Sequence, residues 1–430
     1  MNAKSAVDPQ SDFAAYIGID WADQKHDLCL QCANGGEREF SVIPHRPREL
    51  DEWACALRKR FHARPVAVCL EIPRGPLVYA LQKHDIFVLF PVNPATLAKY
   101  RQAFTPSRAK ADPTDAQIAL EILLHHRDKL KALRPQSEGI RHLVLLLEER
   151  RMLVNDRTRI TNRLTTALKH YYPQADEWFP EKGTILFCDF LTRWPTLKQV
   201  RLARRATLEE FFPQHNCSRQ KIIEERLASI KGAVSLTEDP AVIKPKKLFV
   251  EGLVAQLRAT LAAIDRYDAE IAALASTLPD YDLFRALPGA GEHLAPRLLV
   301  AFGEQRDRYS SAADLQMYAG IAPVTESSCK QHWVHWRSQC PTFLRKTFVE
   351  WAGCSIQRSF WANAYYRQQR AKGQEHQAAL RALAFKWVRI VYRCWQTRTP
   401  YDESRYLNAL KNPGSPLIAS PKAKEALLVN

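Results

Sequence analysis

The sequence predicts an α/β N-terminal part, a middle built on long helices and a mostly α-helical C-terminal part. Three observations lead there. Residues 16–92 alternate short apolar runs with turn residues and one or two helical stretches. Residues 143–168 and 250–274 carry apolar side chains at steps of three, four and seven among many charges, the spacing of a helical seam. From about residue 340 to 397 large aromatic and aliphatic residues recur at helical rather than alternating spacing.

In order, the first run is Tyr16-Ile17-Gly18-Ile19-Asp20, a strand that closes on a carboxylate. Residues 26–32 and 37–43 follow as strands around Gly35-Gly36, a hairpin signal because adjacent glycines accept the backbone angles of a tight turn. Residues 48–61 show helical spacing through Leu50, Trp53 and Leu57; 65–70 form an apolar run closing on Glu71; 77–84 read as a short helix and 86–92 as a further strand. Three strands, then helix, strand, helix, strand is the order of a ribonuclease-H-like fold. Its first and fourth strands are neighbours, which would bring Asp20 and Glu71 together. Residues 94–106 read as a loop with Lys99, Arg101, Arg108 and Lys110 around it.

Asp112-Pro113 then opens a helix over 114–126. Asp at an N-cap, Pro at the first helical position and Asp115 in the first turn are ordinary helix-start chemistry. A metal-binding pair would use the same placement, since residues three apart share one side of a helix. Spacing alone leaves both readings open. The two long helices are expected to run antiparallel, with the insert 171–247 at their far end, or else to form a dimer contact. The insert, rich in Trp and Phe, is expected to pack a small core of its own. Residues 284–299 hold Leu287-Pro288-Gly289-Ala290-Gly291 in the pattern of a helix-hairpin-helix, a DNA-binding turn of Pro288, Gly289 and Gly291 in which the glycines let backbone N–H groups meet a phosphate. Residues 309–320 read as a helix. Ser327-Ser328-Cys329-Lys330 reads as a polar turn before His332-Trp333-Val334-His335-Trp336-Arg337, in which Lys330, Trp333, Trp336 and Arg337 offer stacking and backbone contacts for nucleic acid.

Composition narrows the partners. The 430 residues carry 62 Lys and Arg against 46 Asp and Glu, a net charge of +16. Cations spread in this way suit a polyanion, because each one placed on a phosphate releases a counterion. No apolar run approaches the roughly 18 residues that cross a bilayer, and no apolar signal core follows Met1, so membrane association is not expected and the reading is cytoplasmic, at the bacterial nucleoid. Ten cysteines without framework spacing read as reduced thiols, and Cys29-x-x-Cys32 places its two sulfurs on opposite faces of a strand rather than around zinc.

Six motifs in order, Tyr16-Ile-Gly-Ile-Asp20, Leu70-Glu71, Lys110-Ala-Asp112-Pro-Thr-Asp115-Ala116, Leu287-Pro-Gly-Ala-Gly291, Tyr318-Ala-Gly-Ile-Ala-Pro323 and Thr399-Pro-Tyr-Asp402, make the chain resemble the DEDD transposases of the IS-one-ten type. That family is similar to the junction resolvase RuvC in its N-terminal domain and carries a distinct C-terminal serine transposase domain. The resemblance implies a site-specific recombinase that moves its own insertion sequence. Asp20, Glu71, Asp112 and Asp115 would bind Mg²⁺ or Mn²⁺, and a serine would attack DNA. Counted five residues past Pro323, that serine is Ser328, with Ser327 as the fallback. The resemblance also implies a structured guide (bridge) RNA pairing with DNA, and a homo-oligomer, dimer or tetramer. The domains expected are a RuvC-like domain over 14–132, a coiled-coil region over 133–280 with the insert and a transposase domain over 281–410; composition adds a polar, mobile N-terminus over 1–13 and a loose tail with Pro, Gly and Ser over 411–430. This chain departs from the pattern in having Cys329 where the family has Gly, a Trp–His tract where it has Gly and Lys, and Asp23, with Lys25 nearby, where it has Lys. Two other readings fit the same residues: a metal-dependent nuclease or junction resolvase in which Ser328 is only a turn residue, and an inactive nucleic-acid-binding copy.

Overall fold

The structure is a computed structural model that describes residues 13–71, 73–104, 112–328 and 331–411. The proposed mobile start and loose tail therefore lie almost wholly outside the described residues. The chain divides into two units between Pro135 and Gln136.

In the first unit β1 (Ala15–Trp21), β2 (Lys25–Cys32) and β3 (Glu39–Pro44) form an antiparallel meander, with Gly35 and Gly36 at positive φ in the β2–β3 turn. After α1 (Pro47–Arg60) comes β4 (Val66–Leu70), then α2 (Pro76–Leu81) and β5 (Phe87–Pro91). The sheet order is β3-β2-β1-β4-β5, with β4 parallel to β1 and β5 parallel to β4. Every residue of β4 is buried, as a central strand covered on both faces requires. On one face Leu50, Leu57, Leu77, Val78 and Leu81 of α1 and α2 pack on Ile17, Ile19, Val66 and Val68. On the other, α3 (Pro94–Phe104) and α4 (Asp112–His126) bring Leu97, Ile118, Ala119, Ile122 and Leu123 against Ala67, Cys69, Val88 and Phe90. Cys29 joins this second face and Cys32 the first, so the two sulfurs do separate.

The expectation of a loop over 94–106 is corrected by α3. Asn93 caps it by accepting from the Ala95 N–H at 2.9 Å, Pro94 supplies a preset φ for the first turn, and Leu97 buries itself on the sheet. Proline and cations had the look of a loop, whereas here they are a helix start and a solvated helix face.

In the second unit α5 (Glu138–Leu168) and α11 (Pro240–Thr277) run antiparallel: Gly139 lies beside Leu278, Arg150 pairs with Asp268, and Arg163 stacks on Phe249. Five shorter helices join them, α6 (Pro173–Trp178), α7 (Ile185–Arg193), α8 (Leu197–Leu202), α9 (Arg205–Phe211) and α10 (Gln220–Gly232). Trp178, Phe179, Phe187, Phe190, Trp194, Phe211 and Phe212 are all buried there, against Leu164, Leu168, Val250 and Leu257 of the long pair. The insert's aromatics thus build a core shared with the long helices.

The remaining helices are α12 (Tyr281–Arg285), α13 (Gly291–Phe302), α14 (Ala312–Tyr318), α15 (Thr342–Ser355), α16 (Phe360–Ala371), α17 (His376–Thr397) and α18 (Glu403–Lys411), with a hairpin of β6 (Val324–Ser328) and β7 (Gln331–His335) between α14 and α15. Trp351, Trp361, Trp387 and Trp395 are fully buried at the centre. A buried indole must place its N–H, and all four do: on Pro288 O at 3.0 Å, Tyr401 Oη at 2.7 Å, Ser355 Oγ at 2.8 Å and Gly303 O at 2.9 Å.

Candidate active site

Asp20 owes its position to register. Ile19 of β1 pairs with Leu70 of parallel β4, so the next residues, Asp20 and Glu71, stand at neighbouring strand positions. Ile19 and Leu70 enter the α1–α2 core, while Gly18 and Cys69 face α4, and alternation puts Asp20 on the α4 side. Asp27, directly across the β1–β2 ladder, shares that face; it is 6% exposed and pairs with Lys25 at 3.5 Å. The sequence reading did not single out Asp27, although its hairpin spacing from Asp20 carries the signal.

Gly18 lets α4 touch the strand. A Cβ there would lie 2.0 Å from Ala116 O and 2.4 Å from Leu120 N. This contact seats the first turns of α4 on β1 and brings Asp115, next to Ala116, to the same sheet face, 6% exposed. Arg101 of α3 places Nη2 2.6 Å from Asp115 Oδ1, yet Oδ1 and Arg101 Nε are both buried without an aligned hydrogen bond. The contact is one of charge more than of direction. A buried carboxylate oxygen without an aligned donor is chemically suited to a cation, and carboxylates are the ligand type of a hard divalent ion. Asp112 is the first residue of α4, but its side chain lies outside the described residues. Among the described residues no three His, Cys, Asp or Glu side chains stand close enough to share a metal ion.

On the opposite face of β2 from Asp27, by the same alternation, His26 is buried, with Nε2 2.8 Å from His45 Nδ1. Burial first, and the neighbouring His45 charge second, push its pKa down to about 4.

Ser327 and Ser328 are exposed on β6. Ser328 pairs with Gln331 and Ser327 with His332 across the hairpin, so the expected polar turn is the end of a two-stranded ribbon; Cys329 and Lys330 lie outside the described residues. On the face of Ser328 and Trp333, Glu326 pairs with His335 at 3.4 Å. The base of the ribbon is anchored: the Ile321 and Ala322 N–H groups both donate to Gln316 O at 2.9 Å, and the buried Gln316 side chain donates to Phe385 O of α17 at 2.6 Å. Trp333 and Trp336 are 44% and 39% exposed, and Arg337 Nε donates to Ala322 O at 3.4 Å.

The loop before α13 divides its glycines between two roles. Gly289 has φ +75°, and a Cβ there would lie 2.6 Å from the Cys354 carbonyl group, so α15 backbone requires this glycine. Pro288 accepts from Trp351. Gly291, at φ +54°, meets nothing within 4 Å and opens α13 without a side-chain cap.

No helix among the described residues is long and apolar enough to cross a membrane.

Comparison with known proteins places this geometry. Residues 17–173 match the DEDD transposase family of IS110, described as a transposase, and residues 281–367 match the transposase family IS116/IS110/IS902. A protein of Streptomyces coelicolor named as the mini-circle transposase for IS117 is 30% identical over 403 residues, covering 92% of this chain and 97% of that protein. The 44.8 kDa protein of insertion element IS116 from Streptomyces clavuligerus is 26% identical over 88% of this chain and 93% of its own length. The 43.6 kDa protein of insertion element IS110 from Streptomyces coelicolor is 25% identical over 69% of this chain and 73% of its own. Two family models and near full-length similarity show the family: the chain belongs to the IS110 family of DEDD transposases.

Proposed function

We propose that the protein moves its own insertion sequence by metal-dependent recombination in which Ser328 is the nucleophile. The observation that carries the reading is the placement of Asp20, Glu71 and Asp115 on one face of the sheet, with a buried Asp115 oxygen lacking a hydrogen-bond partner. Asp20, Glu71, Asp112 and Asp115 would hold Mg²⁺ or Mn²⁺. A bound divalent ion supplies charge neutralisation at phosphate and lowers the cost of forming an oxyanion.

In this reading Ser328 Oγ attacks a DNA phosphorus. The Oγ–P bond forms as a P–O bond to a deoxyribose oxygen breaks, the serine losing its proton and the departing oxygen gaining one. Attack by the hydroxyl of an exchanged strand reverses the step and frees the serine. A serine hydroxyl is a weak nucleophile. Exposure on a ribbon anchored at Gln316 is what lets it reach a substrate backbone from a fixed base. Gly291 at the uncapped start of α13, together with Trp333, Trp336, Arg337 and Lys330, would grip the nucleic-acid backbone in a helix-hairpin-helix-like manner. A structured guide RNA would supply target choice by base pairing, which relieves the protein of a base-reading code. Assembly as a homo-oligomer and residence at the nucleoid belong to the same proposal.

Expression of the complete element, followed by denaturing recovery of protein–DNA adducts, tests it. Adducts formed by the wild type and lost in Ser328→Ala place the nucleophile; loss in Ser327→Ala alone moves it by one residue. Metal-dependent cutting without any adduct overturns the serine mechanism in favour of a nuclease.

A further inference from the structure

Arg345 of α15 and Arg381 of α17 come together on one indole. The Arg381 guanidinium carbon is 4.0 Å from the centre of the Trp336 ring, and that of Arg345 is 5.5 Å from it. Arg345 donates one N–H to Arg337 O at 3.2 Å, which ties it to the chain just after β7. Among the described residues no carboxylate lies in ion-pair contact with Arg345 or Arg381. Arg381 feels this: burial first, then the Arg345 charge, lowers its pKa, with Glu375 opposing only in part.

Two half-buried like charges over one indole carry a cost that no ion pair among the described residues offsets. Elsewhere in the same unit some half-buried arginines meet acids, Arg150 with Asp268, Arg297 with Glu350 and Arg306 with Asp280, and others, Arg151 and Arg226, lie over buried or half-buried phenylalanine rings; Arg345 and Arg381 instead share one indole that solvent reaches. An external anion would complement two cations on one exposed ring. Stacking on the indole holds the planar forks in place, and the guanidinium group offers paired donors that match phosphate. The 39% of Trp336 left exposed gives an approaching nucleotide an apolar edge beside the charge.

We propose that Trp336, Arg345 and Arg381 form a clamp for one phosphodiester of the nucleic-acid strand that runs along the β6–β7 ribbon. The site deepens the function proposed above and rests on it. Trp336 directly follows β7, five residues past Gln331, the partner of Ser328, and so at most about 16 Å from it at strand rise. The clamped phosphate is therefore a few nucleotides from the one attacked, and the clamp sets how the strand is threaded past the serine. Phosphodiester is the chemistry common to element DNA and guide RNA.

The test is fluorescence anisotropy of the full chain with labelled single-stranded DNA, RNA of the same sequence, and duplex DNA, each over a range of salt. Wild type is compared with the Arg345→Gln/Arg381→Gln double variant, the corresponding double Lys variant and Trp336→Ala, each checked for native circular dichroism and melting. Loss of one phosphate contact should weaken binding about tenfold and flatten the plot of log K against log salt by roughly 0.7 to 0.9. The Lys variant, keeping charge but not the fork or the stack, should keep the slope and lose affinity. A defect confined to DNA or to RNA names the strand held. A natively folded double Gln variant with wild-type affinity and slope on every probe overturns the clamp alone. A wild-type chain that binds none of the probes overturns the functional reading and the clamp with it.

Discussion

Replacing Gly18 by Ala should loosen the N-terminal unit and disarm it together. The added Cβ would sit 2.0 Å from Ala116 O and 2.4 Å from Leu120 N, where about 3.4 Å is the ordinary floor, so α4 must retreat by about 1.4 Å. Both obstacles are backbone, and no rotamer change relieves them. Overpacking against side chains costs about 1–3 kcal/mol, and a backbone obstacle belongs at the upper end, about 3 kcal/mol. For a unit of this size that lowers its melting by about 10 °C. Asp115 moves with the helix, and a displacement on the order of 1 Å at reacting groups costs about 100-fold in rate. Calorimetry of the full chain reads the first effect, and metal-dependent strand cleavage the second. Gly252→Ala in α11 is the control: its Cβ meets nothing, so it should stabilise by about 0.5–1 kcal/mol through helix propensity. A Gly18→Ala chain that melts with the wild type and cleaves at the same rate would refute the inference that this glycine seats α4.

Arg101→Gln should strand the buried Asp115 carboxylate, destabilise the N-terminal unit by about 3 kcal/mol in EDTA, and be partly restored by millimolar Mg²⁺; melting with and without divalent ion checks it. Asp20→Asn should fold normally, bind Mn²⁺ more weakly in calorimetric titration and lose strand cleavage; full activity in a folded variant sinks the metal assignment. His26, with its pKa lowered from 6.5 to about 4, is neutral in the fold, so its contribution is fully present above pH 6.5 and lost as pH falls from 6.5 to about 4. The loss, discounted for solvent around His45, is about 1–2 kcal/mol, and urea midpoints at pH 7 and 4.5 should converge between wild type and His26→Asn at the lower pH. Gly289→Ala should destabilise the C-terminal helices by about 3 kcal/mol or more, because the left-handed backbone and the Cys354 carbonyl both oppose it; urea unfolding followed by tryptophan fluorescence reads it.

The sheet was legible because each strand is a short apolar run with a turn residue after it, and the positions of Asp20 and Glu71 followed from strand order alone. Helix α3 was misread for a local reason: its burial rests on few apolar residues, Leu97 foremost, and its flanking Pro and Asn serve caps and loops alike. The β6–β7 ribbon was missed because Thr325-Glu326-Ser327-Ser328 has no apolar face, so only pairing with β7 makes it a strand. Motif glycines were found as signals but not as causes. Gly18 is required by α4, Gly289 by α15, and Gly320, at φ +69°, by Cys340, whose Sγ would lie 2.2 Å from an added Cβ. None of those partners can be inferred from spacing, since each comes from a distant part of the chain.

The same contrast bears on which residues act on nucleic acid. Pro288 and Gly289 carry the helix-hairpin-helix pattern, yet Pro288 accepts from a buried indole and Gly289 lies against α15 backbone, which gives both a packing reason to exist. Gly291 has no such reason: its open side at an uncapped helix start is the part of the loop whose backbone remains free to approach phosphate. Just past the ribbon the pattern reverses, since Trp336 is too exposed to be core and its partners Arg345 and Arg381 have no acid in ion-pair contact among the described residues. A residue whose burial explains it needs no ligand, and one that the fold leaves with unmatched charge does. By that criterion Gly291→Ala, which adds a Cβ into open space but strains a left-handed backbone, should weaken nucleic-acid binding with little loss of core stability, whereas Gly289→Ala should lose stability first and binding only as a consequence.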